Sequence, residues 1–441
     1  MRTYFYSLLY KYLSLYIFRS NRLVIVHPTT DRLLNNFSQA KVVSADNGKT
    51  GEIKGDRHLR FEDIYSYAPD FVLLDGVLHY ERDIQVFLDD LGKQCHSTTR
   101  LVVTFYSALW KPFIKFATIL GLRNNLPEEN WIAPEDVRNL LRLGDFEIVR
   151  AESRVLIPVY IPVLSNLINK YIAPLPLFNL LNLVNIIVAR PVPPSAVQQG
   201  PPPSVSVVVA ARNEEGNIEN IIRRLPKMGP DDELIIIEGN STDNTWAKIR
   251  EVYELNKDRM NIRIGQQDGR GKGDAVRKGF AMATKDILMI LDADLTVPPE
   301  DLPKFYRAIV SGKGEYINGS RLVYPMEERA MRFFNIVGNK FFALAFSFVL
   351  GQRFKDTLCG TKVLSRDNYE KLASHRAYFG EFDPFGDFDL IFGSARMCLK
   401  IVEVPIRYRE RRYGDTNISR WRHGVILLRM LLFAARKIKF I

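Results

Sequence analysis

Residues 287–300 read ILMILDADLTVPPE. The apolar run Ile287–Leu291 leads straight into Asp292-Ala293-Asp294, and Pro298, Pro299 and Glu300 follow. The run has the length of a buried strand, and the prolines suit the first turn of a helix, which has no use for their missing N–H. Two carboxylates one residue apart at a strand end can both approach a divalent cation. Mg²⁺ or Mn²⁺ takes such oxygen ligands and keeps positions open for phosphate oxygens. The same two acids could instead serve only to favour the start of the next helix.

Outward from this stretch the chain alternates. Val205–Ala210, Leu234–Ile237 and Asn261–Ile264 read as strands, and between them lie segments with helical apolar spacing, such as Ile218, Ile221, Ile222 and Leu225. Val276, Phe280 and Ala283 precede the strand 287–291, and Leu302, Phe305, Tyr306 and Ile309 follow it. Alternation of this kind predicts a mostly parallel α/β sheet covered on both faces, with its ligand at the carboxyl ends of the strands. Three loops fall at that edge: ARNEEG from Ala211, EGNSTD from Glu238 and GRGKGD from Gly269. The glycines of the third let backbone approach a ligand, while Arg270 and Lys272 supply charge for phosphate. Its spacing is neither a Walker loop nor the dinucleotide G-x-G-x-x-G. Each loop alone reads as a solvated turn; together with the aspartates they mark one site.

The whole chain has 441 residues, a net charge of +11 and three cysteines. Ordinary apolar and charged fractions exclude disorder and collagen-like repeats. Cys95, Cys359 and Cys398 are too few and too scattered for a disulfide framework or a four-thiolate zinc site, and they fit a reducing compartment. Residues 191–204, PVPPSAVQQGPPPS, hold six prolines and no charge. Such a stiff linker divides the chain into blocks 1–190 and 205–417, followed by a basic amphipathic helix over 418–441.

The basic surplus admits nucleic acid, an anionic membrane or a phosphorylated substrate. Residues 403–441 carry ten Lys and Arg against three Asp and Glu, and Arg422, Arg429 and Arg436 recur at seven-residue spacing beside Leu428, Leu431, Leu432 and Phe433. That pattern favours a membrane surface and lipid phosphate over nucleic acid. The uncharged stretch 171–189 contains Pro174 and Pro176, with Asn179, Asn182 and Asn185 at three-residue intervals. It reads as an interfacial or buried segment rather than a spanning helix. The opening MRTYFYSLLYKYLSLYIF reads as a first helix packed on its own domain, and a peripheral protein at the cytoplasmic face of the membrane is expected.

The segments VVVAARNEEGNI, LIIIEGNSTDNT, RGKGDAVRKG, LDADLTVPPE, NGSR, DTLCGTKVLSR and VEVPIRYRERRYGDTN occur in this order over residues 205–417. As an ordered set they resemble the family 2 glycosyltransferases of GT-A fold, and within them the polyprenyl-phosphate sugar transferases, including dolichyl-phosphate mannose synthases. The resemblance implies a metal-dependent, inverting transfer from a nucleoside diphosphate sugar. It implies that Arg212, Glu214 and Glu238 border the nucleotide and that Asp292 and Asp294 meet the metal and the diphosphate, where the loop residues Arg270 and Lys272 would help neutralise charge. It sets Arg321 and Arg411 near an acceptor phosphate, and Asp356 and Asp389 on the acceptor side; with a polyprenyl phosphate acceptor, Arg332 is expected to join those two arginines on the phosphate. This chain departs from the family's usual pattern at Ala210, Arg212, Glu238-Gly239, Thr296 and Asp389. A polyprenyl phosphate acceptor is already an anion and needs no strong base; a saccharide hydroxyl would need a carboxylate, for which Asp389 or Asp387 is the candidate catalytic group. A nucleotidyltransferase would carry a longer glycine-rich basic loop after the first strand, where ARNEEGN stands, and a non-catalytic scaffold of the same fold is the other alternative.

Strands are expected in the first block at 22–26, 40–45, 71–74, 101–105 and 146–149. FVLLD at Phe71–Asp75 with the loop after it, and Trp131–Asp136 with Gly144–Glu147, resemble a class I S-adenosylmethionine methyltransferase. Such a domain needs a glycine-rich turn after its first strand. Here that turn is Val26-His27-Pro28-Thr29-Thr30, so a degenerate domain that does not use S-adenosylmethionine is expected, with His27 and His79 as ordinary loop histidines.

Overall fold

The computed structural model describes residues 2–28, 30–44, 57–121, 130–193, 201–324, 333–378, 386, 388–411, 413 and 420–441. The chain forms two units, Met1–Pro193 with Arg436–Ile441, and Pro194–Ala435.

The first unit holds a six-stranded sheet of β1 (Leu23–Val26), β2 (Lys41–Val43), β3 (Phe71–Asp75), β4 (Arg100–Tyr106), β5 (Phe146–Arg154) and β6 (Val184–Pro191), in the order β2-β1-β3-β4-β6-β5. The first four strands pair in parallel, and β6 runs antiparallel to both β4 and β5. The expected strands are present, but β6 begins inside the uncharged stretch 171–189 and runs past its end, so that stretch is not one segment. A π-turn at Ile168–Ile172 and a 3₁₀ helix at Pro176–Leu181 precede a strand buried from Val184 to Arg190. Prolines cut the helix, and a β-branched run with a neighbour on each side becomes a strand. The three asparagines consequently share no helical side. Asn182 donates to the Ala173 carbonyl at 2.8 Å, whereas Asn185 accepts from Ser153 Oγ at 2.7 Å.

The helix Arg2–Leu13 buries Leu9, Tyr12 and Leu13 in its own unit. Next to it lies a buried ion cluster. Glu152 accepts from Arg154 at 2.8 Å, from Arg150 at 3.2 Å and from the Tyr16 hydroxyl, with Lys439 Nζ at 3.9 Å. Burial pushes the Glu152 carboxyl up, but the two arginines and Lys439 override it and hold it far below its ordinary range. Burial also pushes Lys439 down to about 7. The basic amphipathic helix expected over 418–441 is helical here, and its last residues are buried. Helical structure runs from Arg420 to Lys439, as an α-helix to Ala434 and a π-helical turn over Ala435–Lys439, while Arg436–Ile441 belongs to the first unit, where Ile438 and Lys439 are buried.

The second unit holds a seven-stranded sheet of β7 (Val205–Ala211), β8 (Glu233–Glu238), β9 (Asn261–Gln266), β10 (Ile287–Asp292), β11 (Tyr316–Ser320), β12 (Lys362–Ser365) and β13 (Ile401–Pro405), in the order β13-β11-β12-β10-β7-β8-β9. All pairings are parallel except those of β12, which opposes β10 and β11. VSVVVAA can occupy the middle because both faces are covered, so every position can be apolar. The chain builds outward from β7 through β8 to β9, then returns to the other side of β7 with β10. Ligands bind at such a reversal, beyond the carboxyl ends of the strands.

In the first unit Asp75 is buried at the end of β3 and accepts from Thr104 Oγ1 at 2.6 Å. Burial raises its carboxyl to about 6, against the pull of that hydroxyl. A raised acid favours the folded state at low pH, and that stability is lost as pH rises from about 4 through 6, on the order of 3 kcal/mol. Asp75→Asn keeps the acceptor and removes the charge. Thermal unfolding should show it more stable than the parent at pH 8 and equal at pH 4; an equal melting temperature at both pH values would refute this.

Candidate active site

Strand register brings the site together. Gln266 pairs with Glu238, Glu238 with Ala211, and Ala210 with Asp292, so the carboxyl ends of four strands form one row. The loops leaving that row are cross-tied. Asn213 N–H donates to Ser241 Oγ at 3.0 Å, Thr242 N–H to Asn213 Oδ1 at 2.8 Å, and Glu214 N–H to Thr245 Oγ1 at 2.9 Å. Asn213, Asn240 and Leu295, one in each of three loops, hold left-handed φ of 57°, 55° and 54°. Such conformations cost roughly 1–3 kcal/mol each and persist only where the surroundings fix them. None of these three was singled out from the sequence, although two are asparagines, the residue type that best tolerates this region.

Asp292 accepts from Lys272 Nζ at 2.7 Å, across from the first turn of the helix Lys272–Met282. Burial pushes its carboxyl up, but Lys272, then Lys362 and Arg321, override this and hold it below its ordinary value. Gly360, in the DTLCGTK segment, is the necessary neighbour. A Cβ there would overlap both Asp292 carboxylate oxygens, so no other residue fits without moving the carboxylate. Lys362 lies fully buried behind it, donating to Asn318 Oδ1 at 2.7 Å and to the Cys359 carbonyl.

Asp294 is held differently. It accepts from Thr296 Oγ1 at 2.8 Å and from Arg411 Nη2 at 2.7 Å. Arg411 also donates to Glu214 Oε1 at 3.2 Å, so it bridges two acids of the donor edge. Expected near an acceptor phosphate, it contacts the predicted donor acids here, because the backbone after β13 folds back and Arg409 N–H donates to the Thr296 carbonyl. Burial raises Glu214 to about 7, with Asp294 and Asp292 adding to the rise against Asn217 and Arg411. Burial likewise pushes Glu238 up, but donors from Gln266 (2.9 Å) and the Ser241 N–H (2.5 Å) bring it below its ordinary value. Arg212 and Arg270 are exposed at the same edge.

The acceptor-side expectations change most. Arg321 donates through Nε and Nη2 to both oxygens of Asp356, at 2.6 and 2.8 Å, and Asp356 is fully buried. That carboxylate is committed to a bidentate pair and to the N–H groups of Arg321 and Leu358, so here it positions the Arg321 side chain and the neighbouring backbone. Asp389 is buried near the start of the helix Phe388–Arg396, accepts its own helix's Leu390 N–H at 2.8 Å, and pairs with Arg376 at 3.3 Å. Gly386, with φ 73°, packs so closely on Gly273 that a Cβ would overlap it, which brings this segment beside the GRGKGD loop. Arg332 and Asp387 lie outside the described residues.

The aspartate pair fits a hard divalent cation. Both groups are carboxylates, and the glycine opposite leaves room at Asp292. Among the described residues no group of three His, Cys, Asp or Glu gathers into a protein-only cage. Phosphate oxygens and water would complete the shell, as Mg²⁺ and Mn²⁺ prefer.

Residues 206–373 match the model of the family described as Glycosyl transferase family 2. The chain is 27% identical over 221 residues to a dolichol-phosphate mannosyltransferase of Pyrococcus furiosus, a match covering 49% of this chain and 59% of that protein. It is 28% identical over 232 residues to a UDP-N-acetylglucosamine–dolichyl-phosphate N-acetylglucosaminyltransferase of Methanococcus voltae, covering 48% and 90%. A glucosyl-3-phosphoglycerate synthase from Mycobacterium tuberculosis, solved with Mn²⁺, UDP and glucosyl-3-phosphoglycerate, superposes with a TM-score of 0.39 and 19% identity over 54% of this chain and 80% of that one. The second unit of this chain, with its mixed α/β sheet, therefore holds a segment similar to the family 2 glycosyltransferases.

Proposed function

We propose that the chain transfers a sugar from a nucleoside diphosphate sugar to a polyprenyl phosphate, with inversion at the anomeric carbon. The observation that carries this is the gathering of Asp292, Asp294, Glu214, Lys272 and Arg411 at the carboxyl ends of β7, β8 and β10, where the strand order reverses. The acceptor oxygen attacks the anomeric carbon as its bond to the diphosphate breaks, and the nucleoside diphosphate leaves with the bonding electrons. Asp292 and Asp294 would hold Mg²⁺ or Mn²⁺, which supplies charge neutralisation for the leaving diphosphate. Lys272 and Arg411 add fixed positive charge at the same place, pre-oriented by their carboxylate partners.

A lipid phosphate acceptor is supported by the names of the relatives above and by the surface of the domain. The helices Phe333–Leu350 and Arg420–Ala434 leave Phe341, Leu344, Leu428 and Leu432 exposed. Among the described residues no helix is long and apolar enough to cross a membrane, so we read these faces as resting on one. The commitment of Asp389 to Arg376 also suits an acceptor that arrives as an anion and needs no base. We assign the reaction to the cytoplasmic face, in keeping with three cysteines that form no disulfide. We read the first unit as non-catalytic. At the end of β1, His27 pairs with Glu81 at 2.9 Å, and both ring nitrogens of the buried His79 are engaged, by the Asn130 carbonyl and the Tyr106 N–H.

The test is release of UDP or GDP from a panel of donors, with Mn²⁺ and undecaprenyl phosphate. Asp294→Ala should lower metal-dependent release by at least about a hundredfold. No release from any donor by the parent chain, or undiminished release by the variant, would sink the reading. Gly360→Ala should match Asp292→Ala in lost release while keeping the parent's melting temperature within a few degrees; a fully active Gly360→Ala would show that the carboxylate need not stay where it is.

A further inference from the structure

The first unit carries a surface that its own core does not explain. The helix Lys111–Ile119 leaves Phe113 64%, Phe116 62% and Ile119 80% exposed. The crossover from β5 to β6 leaves Val163 70%, Leu177 84% and Leu180 75% exposed. These two segments join: Trp110 Nε1 donates to the Leu181 carbonyl and Ser107 N–H to the Leu183 carbonyl, both at 2.8 Å. Single exposed apolar residues are ordinary, but a patch collected from two adjoining segments is not.

Local hydrogen bonding shows the arrangement to be built. Asn169 is buried, accepts the N–H groups of Leu156 and Ile157 at 2.8 and 2.9 Å, and donates to the Ile157 carbonyl at 2.7 Å. Ser165 accepts the Ile161 N–H at 3.0 Å. The backbone polar groups are therefore drawn inward while large apolar side chains stay outside. Val163 even holds φ 63°, a costly conformation for a β-branched residue.

The charge on these segments has one sign. Residues 107–121 contain Lys111 and Lys115 and residues 155–189 contain Lys170; neither stretch has an Asp or Glu. Lys111 and Lys115 are exposed on the same helix as Phe113 and Phe116. Exposed apolar side chains on segments that carry lysines and no acids match a bilayer with anionic headgroups. A second copy of this chain seated on the patch would set the same lysines against themselves.

We propose that this face of the first unit docks on an anionic lipid bilayer, with Phe113, Phe116, Ile119, Leu177 and Leu180 entering the headgroup–acyl boundary and Lys111 and Lys115 lying among the headgroups. The proposal does not depend on the acceptor of the transferase domain. It gives a non-catalytic unit a task, that of holding the chain at a membrane surface.

The experiment is co-sedimentation of the full chain with phosphatidylcholine vesicles, with and without phosphatidylglycerol, at two salt concentrations. The parent should partition onto the anionic vesicles and weaken as salt rises. The pairs Phe113→Glu with Phe116→Glu, and Leu177→Glu with Leu180→Glu, should each weaken partitioning about tenfold or more. As a check independent of folding losses, the tryptophan emission of Phe113→Trp should shift to shorter wavelength on adding anionic vesicles. Absence of partitioning by the parent, equal partitioning by the glutamate pairs, or an unshifted emission would each overturn the proposal. So would a dimer seen by light scattering in the parent and lost in the glutamate pairs. Nucleotide release measured without vesicles separates the two readings. Vesicle binding without release sinks the transferase reading alone, and release without vesicle binding sinks this one alone.

Discussion

A carboxylate at the end of β10 faces a glycine that precedes β12, and the site depends on that opposition. Asp292 must be ionised and half-buried at once. Lys272 supplies the opposite charge at 2.7 Å, and Gly360 supplies the space. The antiparallel register of β10 and β12 sets Ile287 against Ser365 and Met289 against Val363, which carries Gly360 level with Asp292. Shifting β12 by one residue would bring a side chain into the carboxylate and turn its buried face outward. Lys362, Asn318 and Glu403 then lie side by side across β12, β11 and β13 as a buried polar row behind the site. Every member of such a row has to find partners, since an unmatched charge there would cost more than the row contributes.

Much of this was legible beforehand. A short, largely apolar and β-branched run such as VSVVVAA or LIII reads as a strand with neighbours on both sides, and the alternation of such runs with helical spacing points to a parallel sheet. From that alone the three loops and the aspartate pair fall at one edge. The first unit was less transparent. Strand β6 has the same kind of run, but it follows proline-broken helical turns without a charged residue between them, and hydropathy does not separate a surface turn from a buried strand.

The residue roles diverged where side chains pair across long distances in sequence. Arg321 and Asp356 are 35 residues apart and Arg411 and Glu214 are 197 apart, so neither pairing has a local signature. An arginine that looks available for phosphate can be spent on a buried carboxylate, and an acid that looks catalytic can be half of that pair. The chain end changed for a similar reason. Its spacing describes an amphipathic helix, yet Glu152 with its two arginines and Tyr16 provides a buried place for Lys439 that no tail sequence announces.

Sequence by itself determined the class of fold, the edge at which ligands meet the sheet, and the carboxylates that fit a cation, because all three follow from periodicity and from where polar residues interrupt apolar runs. Only the tertiary structure decided that Arg411 bridges Glu214 and Asp294, that Gly360 makes room for Asp292, and that the segments 107–110 and 181–183 join while apolar residues on both sides stay exposed. Those depend on distances between residues remote in the chain, which packing sets and which no local pattern encodes.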